Sequence, residues 1–115
     1  MGITNLSLLK EFADGDEEFI LEILGIYQGE TPQAIQKIKA LTASQEWEEL
    51  RKVVHKLKSS LSMIGLNDLL SIITTMEQNI KEQINLEDLA GLSSQVIEQC
   101  QKSLLEVDQH IAEIS

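Results

Sequence analysis

The fold is decided by Val53-Val54-His55-Lys56-Leu57-Lys58-Ser59-Ser60-Leu61-Ser62-Met63-Ile64-Gly65-Leu66. Apolar residues in and just before this stretch recur at spacings of three and four, the pattern of a helix with one buried face. They are Leu50, Val53, Val54, Leu57, Leu61 and Ile64. A helix turns about 100° per residue, which places His55 well away from the centre of that face. We therefore expect this histidine to face solvent or a partner.

The same stretch is cationic, although the protein as a whole is acidic. The 115 residues include nine Lys and Arg against nineteen Asp and Glu, a net charge of −10. Four of the nine basic residues fall within eight positions that contain no acid, and we call them the cationic patch: Arg51, Lys52, Lys56 and Lys58. Such a patch suits a phosphoryl group or an acidic partner. From charge alone, an ordinary solvated lysine-rich face is an equally good interpretation.

Composition restricts the class of protein. Aromatic residues are only 3% of the chain, and it contains 6 Gly and 1 Pro, which favours helix. We expect one domain over residues 1–115, with a single core. No apolar run is long enough to cross a membrane, the N-terminus does not resemble a signal peptide, and the lone Cys100 fits a reducing compartment. These features predict a cytoplasmic protein, and the net negative charge argues against nucleic acid as a ligand.

The first half of the chain predicts two helices before the quoted stretch. Asn5 or Ser7 is the expected cap of a short first helix. Asp16 caps the next, whose apolar face continues across Pro32. We therefore predict one long helix over 16–43, kinked near 28–32 where the proline removes a hydrogen bond. Two separate helices are the alternative.

The second half predicts three further helices. The third begins near Glu46 and ends at Gly65, the fourth is capped by Asn67, and the last covers about 86–113. Short connections make consecutive helices antiparallel. The predicted fold is all-α, an antiparallel up-down-up-down four-helix bundle with a short extra N-terminal helix.

The segment His55-Lys56-Leu57-Lys58-Ser59-Ser60, followed by Gly65 ten residues after the histidine, resembles the signature of histidine phosphotransfer (HPt) domains. The usual pattern there is His-x-Leu-Lys-Gly-(Ser/Ala)-(Ser/Ala). The resemblance extends over roughly residues 8 to 80 and includes the Met76-Glu77 pair. Ser59 departs from the pattern, because most members have glycine there and a serine narrows the partner's access to the histidine.

The resemblance implies that His55 is the phosphoacceptor. Lys58, one helical turn later, is placed to stabilise phosphoryl charge. If the turn between the third and fourth helices is centred near Leu66, residues whose numbers sum to about 132 face each other, which pairs His55 with Glu77. Glu77 is predicted to orient the ring by accepting a hydrogen bond from Nδ1–H, and a solvated flanking residue is the alternative. The remaining residues are assigned to partner docking: Arg51, Lys52, Lys56, Ser59 and Ser62.

The resemblance also implies the partners, which are response-regulator receiver domains and a hybrid sensor histidine kinase. The required Mg²⁺ and aspartate are expected on the receiver, so no metal or other cofactor is expected here. We predict a monomeric phosphohistidine carrier without kinase or hydrolase activity. A non-catalytic adaptor that binds receiver domains is the alternative.

A sensor-kinase phosphoacceptor domain is rejected, because Lys56 follows the histidine and no proline occurs after residue 32. The second histidine, His110, has no basic cluster around it in the sequence and is predicted to be structural.

Overall fold

The computed structural model describes residues 2–114, and this range is all-helical. Five α-helices follow one another: α1 (Ser7–Ala13), α2 (Glu17–Ala43), α3 (Trp47–Met63), α4 (Asn67–Glu82) and α5 (Leu89–Ile114). A 3₁₀ helix over Leu86–Asp88 precedes α5. The predicted all-α fold is confirmed, including the short N-terminal helix.

Helix α2 is continuous across its proline. It begins after Asp16, whose Oδ1 accepts a hydrogen bond from the backbone N–H of Phe19 at 3.2 Å. Pro32 lies inside the helix. One apolar face on both sides of the proline keeps the helix packed on the core, so the alternative of two separate helices is wrong. The kink near 28–32 stays a prediction.

The turn between α3 and α4 is built on a glycine in the left-handed conformation. Gly65 has φ of +76° and follows the last residues of α3. The N–H of Gly65 donates to the carbonyl of Ser62 at 3.1 Å, and the N–H of Leu66 donates to that of Leu61 at 3.0 Å. This pair of bonds closes a helix C-terminus and allows the chain to reverse at once.

Two of the predicted caps need correction or refinement. Asn67 is the first residue of α4 and makes no capping hydrogen bond, because the buried Leu66 occupies the cap position. At α1 the backbone cap is Leu6, while Asn5 Oδ1 accepts from the N–H of Ser7 at 2.9 Å. Asn5 therefore assists the start of α1 from one residue further out.

The core is formed by the apolar faces of all five helices. Helix α3 contacts both α2 and α4, and α5 contacts both as well. The predicted face of α3 is buried at Leu50, Val54, Leu57, Leu61 and Ile64, with Val53 half-buried. Because these residues point inward, the opposite face of α3 is left for other contacts. No helix within residues 2–114 is long and apolar enough to span a membrane.

Candidate functional site

His55 is the middle residue of α3 and points outward. Its side chain is 64% exposed, whereas the neighbouring Val54 is fully buried. The contrast follows from the rotation of about 100° between successive helical residues. The predicted exposure of this histidine is confirmed.

Glu77 of α4 lies directly against the ring. Its Oε2 is 3.0 Å from His55 Nδ1, and its side chain is only 18% exposed. An ionised carboxylate has no proton to give, so Nδ1–H is the donor and Glu77 the acceptor. In the neutral ring this leaves the lone pair of Nε2 free. The contact lies where the helix register predicted it, and the orienting role of Glu77 stays a prediction.

The same carboxylate also holds Lys58. Lys58 Nζ is 3.2 Å from Glu77 Oε1, so this glutamate contacts both His55 and the lysine one helical turn later. Burial alone would raise the pKa of Glu77, but the hydrogen bonds and charges of His55 and Lys58 outweigh it and lower that pKa. Glu77 is therefore ionised at neutral pH.

Part of the cationic patch is paired within its own helix. Arg51 Nε donates to Glu48 Oε1 at 3.0 Å, and Lys52 Nζ lies 3.2 Å from Glu49 Oε1. Both glutamates precede the window in which the basic residues were counted. Lys56 forms no ion pair within the described range. The unpaired positive charge beside His55 is therefore smaller than the sequence count indicates.

Ser59 and Ser62 have small side chains, which leave space on this face of α3. Ser59 is exposed and Ser62 half-buried.

On the other side of α3, a cleft of about 190 Å³ separates α3 from α2. Lys37 of α2 and Lys56 of α3 both line this cleft.

Sequence reasoning missed two features around α3. One is the Lys58–Glu77 pair, which the register already indicated, since Lys58 lies one turn from the residue opposite Glu77. The other is the cleft on the other side of α3, which Lys37 of α2 lines. Lys37 is three residues after Ala34, which marks a shared helix face, but only the packing shows that this face borders α3.

His110 does not belong to this site. It lies on α5, where its Nε2 is 2.9 Å from Thr4 Oγ1. Across residues 2–114, no group of three or more His, Cys, Asp or Glu side chains is arranged to hold a metal ion.

The shared carboxylate makes a prediction about Lys58. We expect Lys58→Met to raise the pKa of Glu77, because the ion pair with a positive charge that lowers this pKa is removed. Lys56→Met is the matched control and should leave that pKa unchanged. An NMR titration of the Glu77 carboxyl carbon measures both. An equal shift in the two variants would show that general surface charge, and not the Lys58 contact, lowers this pKa.

Comparison with known proteins adds to this geometry. The family model described as Hpt domain matches residues 22–114. The fold is similar to the crystal structure of the HPT domain from the Hpt sensor hybrid histidine kinase from Shewanella, with a TM-score of 0.86. The two sequences are 20% identical, and the match covers 98% of this chain and 97% of that one. No curated protein matches the sequence.

Proposed function

The chain belongs to the Hpt domain family, and from this premise we propose that His55 accepts a phosphoryl group from a receiver-domain aspartate and passes it to another. Members of the family are phosphocarriers in histidine phosphotransfer. The observation that carries the proposal is His55 itself: its side chain is 64% exposed, and its Nδ1 lies 3.0 Å from Glu77 Oε2.

The transfer step needs little from this protein beyond a positioned nitrogen. The Nε2 lone pair of neutral His55 forms a bond to phosphorus as the bond from phosphorus to the aspartyl oxygen breaks. The electron pair leaves with the carboxylate. No proton has to be removed from Nε2, while Nδ1–H stays on the ring as donor to Glu77. The reverse step, on a second receiver, passes the group onward.

Lys58 is proposed to stabilise the charge of the phosphoryl group. Phosphoryl transfer depends on alignment and on charge stabilisation more than on covalent chemistry. In the unphosphorylated protein Lys58 is held near the ring by Glu77 Oε1. The positive charge of Lys58, one helical turn after His55 in α3, is thus kept near the His55 ring.

The surface around His55 is proposed to dock the receiver. Lys56, free of ion pairs in the described range, is the strongest candidate for contact with an acidic partner. Arg51 and Lys52 contribute less, because Glu48 and Glu49 already neutralise them. Ser59 and Ser62 are proposed to leave clearance above the ring.

The remaining proposals concern the partners and the setting. We propose that the receiver holds the Mg²⁺, since Glu77 is the carboxylate that contacts His55 and no group of three or more possible metal ligands occurs within residues 2–114. A hybrid sensor kinase is the proposed source of the phosphoryl group, because the structurally similar domain comes from one. We further propose a cytoplasmic monomer without kinase or hydrolase activity.

For the arrangement of the helices we propose the antiparallel up-down-up-down order for α2 to α5. Two contacts between α2 and α5 support it. Tyr27, in the first half of α2, hydrogen-bonds Ser103, in the second half of α5. Thr42, at the other end of α2, donates to Ser93 at 3.0 Å. The two helices therefore run in opposite directions, as this order requires.

The experiment that tests the function uses a receiver domain carrying a radioactive aspartyl phosphate. After mixing, the label is expected to move to this protein and to be acid-labile and base-stable, as a phosphohistidine is. A second, unlabelled receiver should then recover it. If a panel of receivers transfers no label, the carrier proposal fails and a receiver-binding adaptor becomes the better interpretation.

A further inference from the structure

Glu106 of α5 is bound by the N-terminal segment of the chain. The backbone N–H of Ile3 donates to both carboxylate oxygens, at 3.0 and 2.9 Å. The N–H of Thr4 donates to Oε1 at 2.9 Å, and the Thr4 hydroxyl donates to the same oxygen at 2.6 Å. One side chain thus anchors two consecutive residues from more than one hundred positions away.

Gly2 belongs to the same anchor. A Cβ atom placed on it would lie 2.6 Å from Glu106 Oε1. The absence of a side chain therefore lets the backbone approach the carboxylate closely.

His110 extends this network by one hydrogen bond. Its Nε2 is 2.9 Å from Thr4 Oγ1. Because the Thr4 hydroxyl proton is donated to Glu106, Oγ1 accepts from Nε2–H of His110. Glu106 and His110 lie one turn apart on α5, so both hold the same threonine.

The other end of the segment is fixed to the turn between α3 and α4. The N–H of Asn5 donates to the carbonyl of Ile64 at 2.8 Å. The next residue, Gly65, lies so close that an added Cβ would be 2.3 Å from the carbonyl oxygen of Asn5. Gly65 is thus needed both for its positive φ and for this close approach.

We propose that residues 3–5 form a clasp, a segment that joins α5 to the turn between α3 and α4. The clasp is held by the ionised Glu106 carboxylate and is released when acid protonates that carboxylate. The clasp leads through the buried cap residue Leu6 into α1, which covers the core with Leu9 and Ala13. Opening it releases the N-terminal end of α1 from the bundle. None of the clasp residues contacts His55, and the clasp meets the phosphoryl site only through the turn at Ile64 and Gly65.

The direction of the pH dependence follows from Glu106. Burial alone raises its pKa, but hydrogen bonds from Thr4 and Ile3 and the charge of His110 outweigh it and lower the pKa. No charged side chain occurs between Gly2 and Asn5. His110 of α5 is the titratable group whose charge acts on the carboxylate, and Asp68 of α4 lines the cleft next to residues 2–5. A carboxylate with a lowered pKa stabilises the folded state above its unfolded pKa, about 4.3. That contribution is lost as the pH falls through the folded-state value. The clasp therefore closes at neutral pH and opens in acid.

The test measures backbone order parameters by ¹⁵N NMR. In the wild-type protein at pH 7 the amides of Ile3, Thr4 and Asn5 should be rigid, with order parameters of about 0.85. In Glu106→Ala, and in the wild type below the Glu106 pKa, they should fall below about 0.6 while those of α2 to α5 stay high. The control is Glu98→Ala, which removes an exposed glutamate from the same helix.

Rigid clasp amides in a folded Glu106→Ala protein would overturn the proposal. Should that variant fail to fold, the acid titration of the wild type decides. Clasp amides that stay rigid below the Glu106 pKa would then show that protonation of Glu106 does not release the clasp.

Discussion

A His55→Gln variant is expected to take up no phosphoryl label from a phosphorylated receiver, whereas His110→Gln should be labelled like the wild type. Glutamine has no nucleophilic nitrogen, because its amide lone pair is delocalised. Its NH₂ group is still a donor suited to Glu77, so the fold and the neighbouring contact should be retained. Removing the nucleophile of a group-transfer site typically costs more than about 1,000-fold in rate. The initial rate of label transfer, measured on purified protein, tests this.

The comparison with His110→Gln separates the acceptor from a general histidine effect. The His110 ring donates to Thr4 and acts on Glu106, and neither of these residues belongs to the site at His55. Glutamine at this position also keeps a donor. Label on His55→Gln, with the same acid lability as on the wild type, would assign the phosphoryl group to another residue.

The geometry of the site depends on the length of one turn. Gly65 reverses the chain immediately after α3, and α4 begins at Asn67. Because the reversal is so short, the register of the two helices is fixed, and His55 meets Glu77. An added residue in this turn would rotate α4 by about 100° and move the carboxylate off the ring. The relative position of His55 and Glu77 thus depends on the backbone conformation at Gly65.

The features that could be predicted from the sequence are those set by local periodicity. The outward direction of His55 needed only the rotation per residue, and its contact with Glu77 needed only the turn length. The continuity of α2 was likewise visible, because apolar positions keep one phase across Pro32. Each of these depends on residues within one helix or one hairpin.

The features that could not be predicted depend on contacts distant in sequence. Thr4 meets Glu106 across more than one hundred residues, and no periodicity in either segment indicates it. The cleft that Lys37 and Lys56 both line requires the packing of α2 on α3. The pairing of Arg51 with Glu48 is local and was visible in the sequence. It was missed because the charge count began three residues too late.

Glu77→Ala is expected to slow phosphoryl transfer to His55 by about 10- to 100-fold, by analogy with the loss seen when the carboxylate that orients a metal-ligating histidine is removed. Two effects of removing the carboxylate contribute to this decrease in rate. Without the carboxylate, the neutral ring populates both tautomers, so Nε2 is protonated part of the time. Lys58 also loses its contact with Oε1 and no longer stays near the ring. The initial rate of label transfer again provides the measurement, and Glu49→Ala is the control, because it removes a glutamate beside the cationic patch without contacting the ring.

A double-mutant cycle with Lys58→Met separates these two effects. If Glu77 acts partly by holding Lys58, the decrease in transfer rate in the double variant should be smaller than the product of the two single decreases. The reason is that the effects of mutating two residues in contact are not additive. ¹⁵N shifts of the His55 ring should report the tautomer directly, with the Nδ1–H form dominant in the wild type and not in Glu77→Ala. A Glu77→Ala rate within twofold of the wild type, with an unchanged ring tautomer, would contradict the orienting role. The exposure of His55 alone would then have to account for the site.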